Sequence, residues 1–367
     1  MIRVLHVIGI MNRGGAETMI MNLYRKMDRN RVQFDFVVHT DEVAIYDEEI
    51  LGYGGKIYHC PKFRFGNIIK YIKWWNKFFK QHNDEYKIVH GHIGSTAAIY
   101  LKIAKKFNKF TIAHSHSAGN EFNLKQILYN IISYNTRFIA DYFIACSLNS
   151  GISRFGKKVC KDRSRFLILN NAIDVDQFKY DVNIRKKLRS QLKVDNKIVI
   201  GHVGRFTYEK NHKFIIDIFK EYKKVHQDSS LLLVGDGPMR QEMEDYAKSL
   251  NLSDSITFMG VQTNVNELMQ AFDLLLFPSI YEGLPVTLVE AQSASLPCLI
   301  SNTVSKESIL NDKLVSMLSL EEPISEWIKN MDNLLSIKRE YNVEDIKNKG
   351  FDINETAKQM RCFYESI

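Results

Sequence analysis

The chain has 367 residues, more than one ordinary core uses, and at roughly 100–200 residues per domain it reads as two domains. Hydrophobic residues make up 45% and charged residues 25%, which excludes disordered, collagenous and low-complexity classes, and the longest apolar runs, at 230–234 and 273–277, fall far short of the ~20 residues of a membrane helix. Lys and Arg total 50 against 42 Asp and Glu, a formal charge of +8, so an anionic partner is expected: nucleic acid, anionic lipid or a phosphorylated small molecule.

In chain order, the apolar stretch 4–10 is too short for an export signal and precedes no small-residue cleavage site, so none is expected. Short runs rich in Val, Ile and Phe follow at 3–9, 32–40, 87–92, 110–114, 141–147 and 165–171, separated by helical periodicity. This is the βαβα pattern of a parallel sheet covered on both faces. Residues 172–196 are polar, lack strong periodicity and read as a connection between domains. From 197 the pattern restarts: a strand at 198–203, a helix from about 211, a strand at 231–235, a helix from 238, strands at 256–260 and 273–279, and a helix opening at Pro285. The tail 351–367 is again helical by the spacing of Ile353, Ala357, Met360 and Tyr364. The expected fold is α/β, with one Rossmann-like domain over 1–180, a second over 190–345, and a helix over 351–367 able to return to the first. The five cysteines, Cys60, Cys146, Cys160, Cys298 and Cys362, are never spaced C-x-x-C, which argues against disulfides and a zinc site and for a reducing cytoplasm.

Three segments carry candidate chemistry. The first strand ends at Gly9 and leads through Asn12-Arg13-Gly14-Gly15-Ala16-Glu17 into a helix, a turn whose backbone N–H groups can approach an anion, although it lacks the spacing of a dinucleotide fingerprint. Gly204-Arg205-Phe206 follows a strand, with Lys210 just before the next helix; two cations there can clamp a pyrophosphate, or be ordinary surface charge. The sharpest signal is 277–290, where a strand ends at Pro278, Glu282 precedes a Gly283–Pro285 turn, and Glu290 sits inside the following helix among Leu288, Val289 and Ala291. A carboxylate so placed suits bidentate hydrogen bonding to a cis-diol.

These residues resemble the E-x7-E motif of the GT-B glycosyltransferases of family four. The resemblance runs along the whole chain, through Gly14-Gly15-Ala16-Glu17, Asn171-Ala172-Ile173-Asp174, Gly204-Arg205-Phe206 with Lys210, Val234-Gly235-Asp236-Gly237-Pro238 and Phe258-Met259-Gly260. Ser295, where the family usually carries glycine, departs from it at a turn. The resemblance implies two Rossmann-like domains facing a cleft and retaining transfer of a sugar from a nucleotide diphosphate, by family frequency a UDP-sugar, to a glycan or lipid-linked hydroxyl. It implies that Arg205 and Lys210 bind the diphosphate and Glu290 the ribose. Glu282 with the N–H groups of Gly283 and Leu284 would hold the sugar, Gly15 would approach the diphosphate, and Val261 and Gln262 would lie against the base. A histidine at the end of the strand 110–114 would face the sugar, His116 rather than His114.

Asp174-Val175-Asp176 is expected to be a turn rather than a metal-binding D-x-D, and with two cations on the diphosphate no metal or other cofactor is expected. Lys62, Arg64, Lys70, Lys73, Lys77 and Lys80 interleave with aromatics and no acid. This predicts a helix packed through Ile68, Ile69, Ile72, Trp75 and Phe79, with a lysine rim able to touch anionic lipid at the inner membrane face. The rivals are a nucleotide-sugar epimerase of the same fold and a basic nucleic-acid-binding protein; no nucleic-acid-binding motif is present, and no nucleic-acid partner is expected.

Overall fold

The structure is a computed structural model that describes residues 1–12, 14–116, 131–282, 284–340 and 344–367. The chain divides into two units, one formed by 1–172 with 352–367 and the other by 173–351.

In the first unit the strands are β1 (Ile2–Ile8), β2 (Val32–Val38), β3 (Ile57–His59), β4 (Ile88–Gly91), β5 (Phe110–Ser115), β6 (Tyr142–Ala145) and β7 (Phe166–Ile168). They form one parallel sheet in the order β3-β2-β1-β4-β5-β6-β7. Alternate residues of β1 enter opposite cores: Val4 and Ile8 pack under helices Gly15–Lys26 and Ile353–Glu365, Leu5 and Val7 against helices Ile68–Gln81 and Ala97–Lys106. The helix Ile353–Glu365 thus belongs to the first unit, with Ile353, Ala357, Met360 and Tyr364 buried. Polar residues inside β2 are satisfied: Asp35 receives both arms of the Arg3 guanidinium at 2.6 Å and the Tyr86 hydroxyl at 2.9 Å.

The second unit has β8 (Ile198–Val203), β9 (Ser229–Val234), β10 (Ile256–Gly260), β11 (Leu274–Phe277), β12 (Cys298–Ser301) and β13 (Val315–Leu318), all parallel, in the order β10-β9-β8-β11-β12-β13. The segment read as a loose connection is built into this unit. Val175 and Phe178 are buried, and helix Val182–Gln191 is bolted down by arginines. Arg185 donates to the carbonyls of Gln270 and Phe272 at 2.9 Å, and Arg189 to that of Ala271 at 2.9 Å and to Asp273 at 3.0 Å. Asp174 and Asp176 flank buried Val175 at the start of a 3-10 turn, with Asp176 3.7 Å from Lys347.

The basic helix Ile68–Gln81 packs through Trp75 and Phe79 as expected, but not through Ile68, Ile69 and Ile72. Tyr71, Trp75, Phe78 and Phe79 face the core, while Ile68, Ile69 and Ile72 are exposed. The large aromatic rings outcompete isoleucine for the buried side. No helix of the described residues is long and apolar enough to cross a membrane, and the five cysteines are free thiols.

Candidate active site

In the second unit the strand order reverses between β8 and β11, and ligands of open α/β sheets gather at the carboxyl ends of such a pair. Beyond β8 the chain meets the loop after β9: Gly204 N–H donates to Val234 O at 2.9 Å and Phe206 N–H to Asp236 O at 3.0 Å. Gly235 has φ +134°, and a Cβ there would lie 2.0 Å from Gly204 O, so the approach of the two loops requires glycine. Lys210 ends a short 3-10 turn, and Asn211, in the left-handed region at φ 58°, swings the chain into helix His212–Val225. The Asn211 amide donates to Pro278 O at 3.1 Å, and Ile280 N–H to Glu209 O at 2.7 Å. These two bonds suspend Lys210 over the end of β11.

There Lys210 Nζ lies 4.7 Å from the centroid of the Phe277 ring and forms an ion pair with Glu282. Both side chains are half-buried. The structure therefore brings together a lysine and a glutamate that the sequence assigns to neighbouring parts of one ligand. Arg205, at the end of β8, is exposed and makes no ion pair among the described residues. Glu282 itself is positioned by a parallel bridge to Val304. Gly283 lies outside the described residues. Leu284 is half-buried against the core, and helix Val286–Ser293 begins behind Pro285 with no side-chain cap, which leaves its first N–H groups open to an anion.

Glu290 projects from that helix between buried Val289 and Ala291, and its carboxyl accepts no hydrogen bond among the described residues. Burial pushes its carboxyl up to about 7. An unpaired carboxyl at this depth has strong unmet capacity to accept hydrogen bonds. After β10, Val261 is exposed and Gln262 donates to Met259 O at 2.6 Å, so its amide N–H serves the loop rather than solvent. Behind the lysine, His202 Nδ1–H donates to Leu276 O at 2.9 Å and its ring stacks on Phe277, while His212 stacks on Phe206 with centroids 3.9 Å apart. Burial holds His212 down at about 4 and His202 well below its usual range, so both are neutral packing groups.

The first unit also reverses its strand order, between β1 and β4. Gly15 is the exposed first residue of helix Gly15–Lys26, whose N-terminus carries no side-chain cap. A Cβ at Gly14 would meet only the mobile end of the Glu17 side chain, and one at Gly15 would meet nothing within 4 Å. His114 lies inside β5, buried, and His116 follows the strand, half-buried, so His116 is the nearer of the two to the sheet edge. Three further histidines join them: His6 from β1, and His90 and His92 from β4. Sequence reading passed these over, although the pairs His90/His92 and His114/His116 at i, i+2 place each pair on one sheet face. His6 Nδ1 lies 2.9 Å from His92 Nε2, His92 Nδ1 2.8 Å from His116 Nε2, and His90 Nε2 3.1 Å from His114 Nδ1.

Residues 183–349 match the family described as glycosyl transferases group 1, and residues 13–176 match glycosyltransferase family 4. EpsF of Bacillus subtilis, named as a glycosyltransferase, is 35% identical over 97% of this chain and 94% of its own length. The UDP-Gal:α-D-GlcNAc-diphosphoundecaprenol α-1,3-galactosyltransferase of Escherichia coli is 23% identical over 77% of this chain and 76% of its own. Among solved structures, Anabaena HepE in complex with UDP superposes with a TM-score of 0.81 at 17% identity, covering all of both chains. Two parallel-sheet units of the same build as a GT-B structure, in a chain so similar to EpsF from end to end, place it in one group: the chain belongs to glycosyltransferase family 4 and is a transferase of GT-B fold.

Proposed function

We propose that this enzyme transfers a hexose from a UDP-sugar, with retention at the anomeric carbon, to a hydroxyl of a glycan carried on a lipid diphosphate, as a step in building a surface polysaccharide. The reading is carried by the ion pair of Lys210 with Glu282 at the end of β11, with Arg205 just after β8 and Glu290 in the helix that follows β11. It is supported by the UDP in the HepE complex and by the UDP-galactose and undecaprenyl diphosphate in the name of the Escherichia coli relative.

In this reading Lys210 exchanges part of its pairing with Glu282 for the donor diphosphate, and Arg205 adds a planar fork to the same oxygens. Glu290 accepts hydrogen bonds from the two ribose hydroxyls, which supply the donors its buried carboxyl lacks. Glu282, relieved of the lysine, accepts from a sugar hydroxyl beside the N–H groups of Gly283 and Leu284. Val261 and the Gln262 backbone flank the base. The first unit offers groups of its own, His116 after β5 and the uncapped helix N-terminus at Gly15. The acceptor oxygen bonds to the anomeric carbon as the bond to the β-phosphate oxygen breaks, and the acceptor proton passes to the released diphosphate. Arg205 and Lys210 offset the charge that grows there.

Two cations on the diphosphate leave no task for a divalent ion at that position. UDP-sugar affinity is expected to be unchanged by EDTA; binding that appears only with manganese overturns this. Arg205→Ala and Lys210→Ala should each lower kcat by about 10²–10³, and near-normal turnover in both variants removes the clamp. A thermal-shift panel of UDP-, GDP- and ADP-sugars tests the donor, with stabilisation by UDP-sugars alone expected. Turnover without any acceptor would instead identify an epimerase. The enzyme works, in this reading, in the cytoplasm against the inner membrane face, through the exposed rim of helix Ile68–Gln81.

A further inference from the structure

Five imidazoles meet on one face of the first sheet, at the carboxyl ends of β1, β4 and β5. His6 and His90 are aligned partners across β1 and β4, and the rings stack in a continuous pile, with centroids 4.4 Å apart for His90 and His92 and 4.1 Å for His114 and His116. A neutral imidazole has one N–H and one lone pair, and the pile does not use them all. His6 Nε2, His114 Nε2 and His116 Nδ1 are buried without a hydrogen-bond partner among the described residues. Nothing in the packing of a core calls for five polar rings where phenylalanine would satisfy every contact.

We propose that His92, His114 and His116 form a binding site for one first-row transition-metal ion of the zinc type. Each offers a ring nitrogen, and the three nitrogens lie within 4.8 Å of one another. His92 through Nδ1, His116 through Nε2 and His114 through its otherwise unused Nε2 complete the set, and only the short contact between His92 and His116 is given up. The remaining nitrogens are already in place behind them: His92 Nε2 meets His6, and His114 Nδ1 meets His90, whose Nδ1 lies 2.8 Å from the Tyr364 hydroxyl. Outer partners of this kind fix the tautomer and aim of metal-ligating histidines. An all-imidazole set without carboxylate suits zinc, copper, nickel or cobalt and not magnesium or calcium. The metal site stands on the histidine cluster alone and is separate from the diphosphate grip of the second unit.

The full-length protein, stripped with a chelator and titrated with zinc, should bind one ion per chain, and cobalt in its place should give the visible absorption of a tetrahedral nitrogen site. His92→Ala with His116→Ala should lose this ion, while His59→Ala, in an exposed histidine outside the cluster, keeps it. His90→Gln, at a residue that is not itself a ligand but supports His114 from behind, should weaken zinc about 10–100-fold. X-ray absorption on the zinc-loaded wild-type protein should show imidazole nitrogens at about 2.0–2.1 Å, a readout that depends on no variant. A protein that binds no zinc, binds it equally in the folded double variant, or shows a metal shell of oxygen or sulfur alone, overturns the assignment. Each readout is blind to transferase activity, so failure here leaves the donor-site reading standing.

Discussion

Glu290 illustrates how a single side chain can cost stability and supply binding. Its carboxyl, pushed up from an ordinary 4.5 to about 7 by burial, holds its proton more tightly in the folded chain than in the unfolded one. The sign follows: the folded state is favoured below pH ~4.5, and that contribution is lost as pH rises through about 7. At about 1.4 kcal/mol per pH unit, the loss is of the order of 3 kcal/mol at pH 8. Glu290→Gln should therefore raise the melting temperature at pH 8, leave it unchanged at pH 4, and abolish nucleotide-sugar binding at both. A variant that is no more stable at pH 8, measured by calorimetry, places the carboxyl in water. Ser295 is the opposite case: it adopts φ +52°, a left-handed conformation that favours glycine, so its departure from the family pattern falls on a strained turn and touches no ligand.

At the level of elements, helix Ile68–Gln81 presents two faces that the sequence pattern confounds. Its apolar residues form a broad stripe, so periodicity assigned Ile68, Ile69 and Ile72 to the core along with Trp75 and Phe79, whereas Tyr71 and Phe78 join those two aromatics there and the isoleucines stay outside. The exposed isoleucines now stand among Lys70, Lys73 and Lys77, and apolar side chains ringed by cations suit an anionic bilayer surface. At about 1 kcal/mol per cation near such a surface, replacing all three lysines with glutamine should weaken binding to phosphatidylglycerol vesicles about a hundredfold. Flotation that is equal on neutral vesicles, or unaltered in the variant, removes the membrane contact. The strands from β1 to β11 longer than three residues were legible because parallel strands buried on both faces are unbroken apolar runs. β3, β12 and β13 did not stand out from the sequence, and helix Val182–Gln191 is anchored by Arg185 and Arg189, not by an apolar stripe. Lys210 and Glu282, which the structure pairs, were each legible as candidates in short local motifs after a strand, although their meeting was not. The histidine pile was not, since its members come from three strands and meet only through the register.

For the whole molecule, buried neutral histidines set the acid limit. His6 is held down at about 3, His39 and His116 at about 4, and His90, His92 and His114 well below 6.5, all by burial. In the second unit only His202 and His212, among the described residues, are so held. Because these groups are harder to protonate when folded, their contribution is intact above pH ~6.5 and is lost as pH falls toward 4. The first unit should lose stability first. Trp74 and Trp75 report on it and Trp327 on the second, so fluorescence of Trp327→Phe should shift at higher pH than that of the Trp74→Phe, Trp75→Phe variant; coincident transitions would show that the units unfold together. The helix Ile353–Glu365 also ties the first unit's fate to the order of synthesis. Residues 173–351 form a continuous unit and can fold as they leave the ribosome, but the earlier-made sheet gains its cover, and His90 its Tyr364 partner, only after residue 364 emerges. During translation the first-made unit is the last to be finished, and its half-covered sheet is the surface that chaperones would meet.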